Sequence, residues 1–168
     1  EAGISSTAIK TGMIRNREAD LQNAVKAFGD LQFTIFDKPD VTLGYMRSKL
    51  HQLQAKSGKP VGLIVVDYLQ LMTGDTRNGR VQEIGGLSRG LKVLAKDFAC
   101  PVIALSQLNR QCEQRENKRP LMGDLRDSGS IEQDADHIWF VYRDCRYNDM
   151  APKDAAELII SKPVSYTH

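Results

Sequence analysis

The chain has 168 residues, of which 41% are hydrophobic and 26% are charged, the balance of an ordinary globular domain with its own core. Its net charge of +2 is too small to indicate a nucleic-acid partner by itself. Three cysteines without a C-x-x-C pair argue against a disulfide framework and favour a reducing, cytosolic setting. No apolar run approaches the roughly 20 residues of a membrane span, and no signal peptide is recognisable. We therefore expect neither export nor a membrane location.

The first part of the chain predicts two helices with a short strand between them. Apolar residues recur at helical spacing over residues 17–28 and again over residues 42–55. Asp40 or Thr42 is suited to cap the second helix. Between the helices, the apolar residues 33–36 predict a strand that ends at a D-K-P-D sequence.

Two apolar runs further on predict strands of a parallel sheet. Residues 62–66 and 101–105 are apolar almost throughout, which is typical of strands buried on both faces. A polar loop at residues 73–79 and a helix from residue 81 to about 98 separate them. Three glycines lie inside this helix at a cost of about 1 kcal/mol each relative to alanine, and we expect them to allow close packing, with a hinge as the alternative.

Two more strands are predicted near the end of the chain, at residues 137–142 and 156–160. A polar segment of unusual length, residues 109–127, precedes them, and such a loop in a compact domain is usually functional or disordered. Strands that alternate with helices predict an α/β domain with a mainly parallel sheet.

Polar residues follow both of the predicted parallel strands. Asp67 follows the first strand, with the amide of Gln70 just beyond it, and Gln107 follows the second. The carboxyl ends of parallel strands are where open α/β sheets bind ligands, and an acid so placed can hold the Mg²⁺ of a bound nucleotide. The alternative is that Asp67 caps a turn and Gln107 is a solvated strand end. No G-x-x-x-x-G-K-[ST] phosphate loop occurs in the sequence.

The long polar segment carries basic residues that could neutralise the phosphates of a nucleic acid, at positions Arg110, Arg115, Lys118, Arg119 and Arg126. Three acids are interspersed among them, so charge counting favours a solvated charged loop instead. After this segment, Ser128 or Ser130 could cap a short helical turn, and the spacing does not decide whether that turn meets a phosphate.

Three runs of sequence resolve part of this ambiguity: LIVVDYLQLM, then PVIALSQLNRQCEQRENKRPLMGDLRDSGSIEQDAD, then AELIISK. Together they closely resemble the bacterial replicative DNA helicase of the DnaB type, and the similarity spans essentially the whole chain. The resemblance implies a RecA-like P-loop NTPase core that uses ATP and Mg²⁺. It also implies a homo-hexameric ring around single-stranded DNA, with primase and a helicase loader as partners.

The same resemblance implies roles for individual residues. Asp67 matches the Walker B ligand of Mg²⁺, and Gln107 matches the residue that couples the state of the γ-phosphate to the DNA-binding loops. Lys162 matches the lysine of a Lys-x-Arg-x-Gly sequence whose basic residues reach the neighbouring subunit's ATP.

The loops that line the family's central channel fall on residues 73–80 and 109–129 of this chain. Within the second loop, Arg126, Asp127 and Gly129 match the segment that contacts the DNA backbone, and we include Arg110 and Arg119 of the same loop. Here the resemblance, and not the count of charges, favours DNA binding.

Two departures from the family pattern limit these expectations. The family's phosphate loop and catalytic glutamate precede the region where this sequence begins, and Val164 stands where the family has its arginine. We therefore expect residues 1–168 to be a partial RecA-like domain, without the phosphate-loop strand and the C-terminal strands, and largely inactive alone. The alternative is a non-catalytic DNA-binding or assembly module of the same fold. A recombinase-type ATPase is a third option, which the DYLQ and SGSIEQDAD runs fit poorly.

Overall fold

A computed structural model describes residues 3–14, 16–29, 31–125 and 129–162. The chain divides into two compact units, Glu1–Lys38 and Pro39–His168. The first unit contains helices α1, Ser6–Thr11, and α2, Glu18–Gly29, and none of the described residues of either helix is buried. Helix α2 confirms the helix predicted at residues 17–28.

The strand predicted at residues 33–36 is wrong. The backbone from residue 32 to residue 38 is described and forms no strand. Aromatic and branched side chains favour an extended backbone, but a strand also requires a neighbour with which to share its hydrogen bonds. Phe33 and Ile35 are largely exposed, which shows that their apolar character does not place them in a core.

The second unit contains the remaining elements. In chain order they are α3, Leu43–Ser57; β1, Ile64–Val66; α4, Arg80–Phe98; β2, Val102–Ala104; α5, Gly129–Asp134; β3, Ile138–Tyr142; and β4, Glu157–Lys162. Of the two proposed caps of α3, the structure uses Thr42, whose hydroxyl accepts a hydrogen bond from the Tyr45 N–H at 3.2 Å. The helix ends at Gly58, whose φ of 67° is the left-handed conformation that glycine adopts without strain.

Strands β1 and β2 pair in parallel, as predicted, with Ile64 opposite Val102 and Val66 opposite Ala104. Strands β3 and β4 pair antiparallel, with Phe140 opposite Ile159. The chain between β3 and β4 forms only a short 3₁₀ turn at Asp144–Arg146, and without a crossover helix a hairpin is the natural connection.

The core of the second unit lies on one face of the β1–β2 pair, under α4. Ile84, Leu87 and Leu94 of α4 are almost completely buried, and Ile64 and Val66 of β1 pack in the same cluster. The prediction that β1 is buried on both faces is wrong, because Val65 on the opposite face is 54% exposed. A run of apolar residues does not distinguish a strand covered on one side from a strand covered on both.

Two of the three glycines in α4 confirm the prediction of close packing. A Cβ atom added at Gly90 would lie 2.1 Å from Leu43 Cδ1 of α3, and one at Gly85 would lie 2.6 Å from Ser130 Oγ of α5. A Cβ at Gly86 would meet nothing within 4 Å. Glycine therefore allows α4 to approach both neighbouring helices, while Gly86 has no such role.

Candidate functional site

The carboxyl ends of β1 and β2 meet at one edge of the parallel pair. The Leu105 N–H donates to the Val66 carbonyl at 2.9 Å, and the Leu69 N–H donates to the Leu105 carbonyl at 2.8 Å. Asp67 follows β1 directly, Gln107 comes three residues after β2, and both are exposed. The two residues expected to lie at the same edge of the sheet are therefore brought to that edge.

Gln70 connects the two strand ends through its side-chain amide. Its Nε2 donates to Ser106 Oγ at 2.8 Å, and its Oε1 accepts a hydrogen bond from the Gln107 N–H at 3.2 Å. The sequence pattern predicts no role for this amide. The only sequence signal is a second polar residue shortly after the acid, because the partners of the Gln70 side chain lie 36 and 37 positions away along the chain.

The polar loop at residues 73–79 is attached to the same edge through Arg80 and Glu83. Arg80 donates from Nη2 to the Gln70 carbonyl and from Nη1 to Glu83 Oε2, both at 2.6 Å. Glu83 is only 4% exposed and also accepts the Gly74 N–H at 2.9 Å. The Gly74 N–H and the Arg80 guanidinium hold the pKa of Glu83 below its usual range, although burial opposes ionisation. Glu83 is therefore an ionised anchor for the loop.

The strand-end edge fits a magnesium nucleotide through a single carboxylate. Mg²⁺ in nucleotide sites usually keeps several waters and takes one or two carboxylates together with phosphate oxygens. Asp67 is exposed at the strand end, and within the described ranges its carboxylate is engaged in no hydrogen bond or ion pair. Those ranges also contain no group of three or more potential ligands that would hold a metal without phosphates. Asp67 would hold the ion, and the bound nucleotide would supply the phosphate to be cleaved.

Within residues 109–125, the charged loop after β2 is held by one buried carboxylate, Asp124. Asp124 is 5% exposed. Its carboxylate accepts hydrogen bonds from both Nη atoms of Arg115, at 2.9 and 2.6 Å, and from the Leu121 N–H at 2.7 Å. Burial raises the pKa of Asp124, but the Arg115 guanidinium and the Leu121 N–H outweigh it and leave that pKa below its usual range. An isolated bridge between Leu108 and Leu125 closes the base of the loop.

The residues expected to contact DNA differ in what they contact in the structure. Arg110 is exposed at the start of a 3₁₀ turn, Arg110–Gln114. Arg119 forms an ion pair with Glu157 at 2.6 Å and lies 5.0 Å from the centre of the Tyr142 ring. Gly129 is the exposed first residue of α5. Arg126 and Asp127 lie outside the described residues.

Lys162 lies at the end of β4, where its ammonium donates to two carbonyls at the end of α5. The Nζ atom is 2.7 Å from the Ala135 carbonyl and 2.5 Å from the Glu132 carbonyl. A cation is favourable there, because the last carbonyls of a helix have no partner within the helix. In this structure Lys162 therefore joins β4 to α5, and no described contact brings it to Asp67 or Gln107.

A cleft of about 650 Å³ lies between the charged loop and the β3–β4 hairpin. Gln107 and Arg110 line it on the loop side, and Tyr142 lines it on the hairpin side. Its basic lining also includes Lys118, Arg143, Arg146 and Lys153. The strand-end edge thus continues into a positively charged cleft at Gln107.

In the part of the chain that the structure describes, no helix has the length and apolar character to cross a membrane.

A parallel β-α-β unit with polar residues at its carboxyl edge defines the class: an α/β domain of the RecA-like ATPase type. Residues 1–164 match the DnaB-like helicase C terminal domain. The chain belongs to this family.

Relatives and solved structures agree with this assignment. The chain is 43% identical over 166 residues to the replicative DNA helicase DnaB of Geobacillus stearothermophilus, covering 96% of this chain and 36% of the relative. It is 42% identical over 168 residues to the replicative DNA helicase DnaC of Bacillus subtilis, with the same coverage of both chains. It also resembles a solved ATPase domain with a TM-score of 0.90 at 39% identity, covering 96% of this chain and 59% of that one.

A second solved structure, of a DnaB-like replicative helicase and its interactions with primase, matches with a TM-score of 0.89 and 39% identity. The match covers 96% of this chain and 40% of that one. This chain therefore spans little more than a third of the length of the helicase relatives named above.

Proposed function

We propose that this chain is part of the ATP-driven motor of a replicative DNA helicase. The observation that carries the proposal is the meeting of Asp67 and Gln107 at one edge of the parallel β1–β2 pair, in a chain of the DnaB-like family. Asp67 would hold Mg²⁺, and Gln107 would report the presence of the γ-phosphate. Hydrolysis of ATP would drive movement along single-stranded DNA and separate the duplex.

The DNA would contact the charged loop that follows Gln107. Arg110, Arg126, Asp127 and Gly129 are assigned to its sugar-phosphate backbone, where basic and main-chain groups give affinity without sequence preference. Arg119 is assigned there as well, and it would exchange its ion pair with Glu157 for a phosphate. That exchange is inexpensive, because exposed ion pairs contribute only about 0–1 kcal/mol.

The parent assembly would be a homo-hexamer in the cytoplasm, with ATP bound between subunits. Primase and a helicase loader are the protein partners proposed with it, and one structural relative is described together with primase. Lys162 would reach a neighbour's nucleotide only after leaving the α5 carbonyls. In the proposed assembly, an exchange of this kind would link α5 to the subunit interface.

The test is ATP hydrolysis by the full-length gene product, measured with and without single-stranded DNA. Asp67→Asn keeps the shape of the side chain but removes the charge that holds Mg²⁺, and we expect turnover to fall by about 100-fold or more. Asp97→Asn is the matched control, because it removes an exposed acid that pairs with Arg47 near the end of α4, before β2 begins. Turnover in Asp67→Asn equal to that of the control would reject the proposed site.

A further inference from the structure

Gln70 forms hydrogen bonds in two directions, through its side chain and through its main-chain carbonyl. We propose that Gln70 is a positioning residue that ties Gln107 to the polar loop at residues 73–79. The inference rests on the proposed function, because it takes Gln107 to be the residue that reports the γ-phosphate.

The hydrogen bonds of the Gln70 side chain hold the main chain at Gln107 in place. Both ends of the amide are used, since Nε2 donates to Ser106 Oγ and Oε1 accepts the Gln107 N–H. Gln70 is itself held in a 3₁₀ turn, Leu69–Leu71, whose first residue is 2% exposed and donates its N–H to the Leu105 carbonyl. The amide is thus presented from a packed turn, and a shift of the main chain at Gln107 has to move that turn or break the hydrogen bonds.

The main-chain carbonyl of Gln70 connects this residue to the loop at residues 73–79 through Arg80. Arg80 joins the Gln70 carbonyl to Glu83, and the buried carboxylate of Glu83 holds the Gly74 N–H. These contacts involve charged groups, and such hydrogen bonds are roughly twice as strong as neutral ones. A Cβ atom at Gly74 would lie 2.9 Å from Glu83 Cγ, so the loop main chain sits directly against its anchor. A displacement at Gln107 can therefore reach residues 73–79 through four consecutive polar contacts.

A glutamine suits this position because it donates and accepts at once. Methionine has similar length and no hydrogen bonds, so Gln70→Met removes the tie while preserving the packing. The matched control is Gln52→Met on α3, where an exposed amide accepts a hydrogen bond from Lys49 at 3.1 Å. A second variant, Arg80→Lys, leaves the Gln70 side chain intact and keeps the charge next to Glu83. A lysine ammonium lacks the fork with which the guanidinium contacts two oxygens at once.

The experiment compares the turnover number for ATP with and without saturating single-stranded DNA in the full-length gene product. We expect Gln70→Met to lower the stimulation by DNA about tenfold, because both hydrogen bonds of the side-chain amide are lost. The KM for ATP should change by less than about threefold, and Arg80→Lys should show a smaller loss of the same kind. Gln52→Met should behave as the wild type.

Two results would overturn the inference. One is stimulation by DNA in Gln70→Met equal to that of the wild type. The other is a proportional fall in basal and stimulated turnover together with a large fall in the midpoint of thermal unfolding, which would indicate a purely structural residue. Failure of the proposed function looks different, because the wild type would then show no stimulation by DNA or Asp67→Asn would be fully active. If Gln70→Met does not fold, the result for Arg80→Lys decides in the same way.

Discussion

At the scale of single residues, two buried carboxylates hold the two loops that leave the strand-end edge. Among the described residues, Glu83 and Asp124 are the buried charged side chains, and each accepts a main-chain N–H together with an arginine. Glu83 anchors the loop after β1, and Asp124 anchors the loop after β2. Because a buried carboxylate that loses its partner is costly, these anchors keep the loops in defined conformations.

The first prediction concerns the stability of these anchors against acid. The pKa values of Glu83 and Asp124 lie below those of the unfolded chain, so their ionised forms stabilise the fold. This contribution is complete above the unfolded values of about 4 and is lost as the pH falls through the lower folded values. We expect Asp124→Asn to lower the free energy of unfolding at pH 7 by about 2–3 kcal/mol, because Arg115 loses its charged partner.

The measurement is urea unfolding of the 168-residue chain between pH 7 and pH 3. The difference in the free energy of unfolding between the wild type and Asp124→Asn should shrink as the pH falls, because protonation of Asp124 removes the same charge from the wild type. The exposed acid Asp20, which pairs with Arg17 on the surface of α2, provides the control variant Asp20→Asn. A difference that stays constant across this range would show that the ionisation of Asp124 does not stabilise the fold.

Asp67 and Gln107 are predictable from their positions after apolar runs, whereas the roles of Gln70 and Glu83 are not. The reason is physical. The functions assigned to Gln70 and Glu83 depend on hydrogen bonds to residues brought close by the sheet and by the loop, and no local pattern encodes those partners. Arg119 illustrates the same limit, because only the structure shows its contacts with Glu157 and Tyr142.

At the scale of elements, α4 is the helix on which the second unit is organised. It packs against α3, α5 and the β1–β2 pair, and its buried face supplies five of the eleven buried residues of the larger core cluster. Its helical spacing made it predictable, as was α3 with its Thr42 cap. The predictions of a strand at residues 33–36 and of burial on both faces of β1 are wrong, because strand pairing and burial depend on which neighbours the backbone meets in the fold.

The second prediction uses two adjacent glycines of α4. Gly86→Ala places a methyl group in open space and removes the conformational cost of glycine, so it should raise the free energy of unfolding by about 0.5–1 kcal/mol. Gly85→Ala gains the same helix propensity, but its Cβ would lie 2.6 Å from Ser130 Oγ and 3.0 Å from Ser130 Cβ. It should therefore destabilise the chain by about 1–3 kcal/mol.

Chemical denaturation of both variants, with the wild type as reference, gives the comparison. The double variant Gly85→Ala with Ser130→Gly serves as the control, since removing the side chain of Ser130 should recover part of the loss. If Gly85→Ala and Gly86→Ala had the same stability, the close approach of α4 and α5 in the folded chain would be rejected.

At the scale of the whole molecule, the RecA-like fold and the family could both be predicted from the sequence, because long specific runs cover most of the chain. The surroundings of the residues proposed to contact DNA follow from tertiary contacts and not from the sequence runs. Arg110 and Gly129 are exposed, Arg119 pairs with Glu157, and the assignment of Arg126 rests on the resemblance alone. The buried Asp124 holds the conformation of the charged loop.

The third prediction concerns the 168-residue chain alone. We expect it to bind labelled single-stranded DNA more weakly as salt rises, and Arg126→Ala should reduce the slope of log affinity against log salt by about 0.7.

We also expect ATP turnover far below that of an intact helicase, because the sequence contains no G-x-x-x-x-G-K-[ST] loop to bind the phosphates.

Arg47→Ala is the control for DNA binding, because Arg47 lies on α3 and pairs with Asp97 rather than with the charged loop. Equal slopes for wild type and Arg126→Ala would count against the assigned DNA contact. Turnover by the 168-residue chain that matches an intact helicase would contradict the expectation of inactivity.

The parallel pairing of β1 with β2 has a consequence for how the strand-end edge opens. The two strands lie about 40 residues apart along the chain, and such a ladder is maintained only while the helix between them stays packed. The Leu105 N–H, which donates to the Val66 carbonyl, lies at the edge that carries Asp67 and Gln107. Its rate of exchange with deuterium would therefore report when α4 and the strand-end edge unfold together as one cooperative unit.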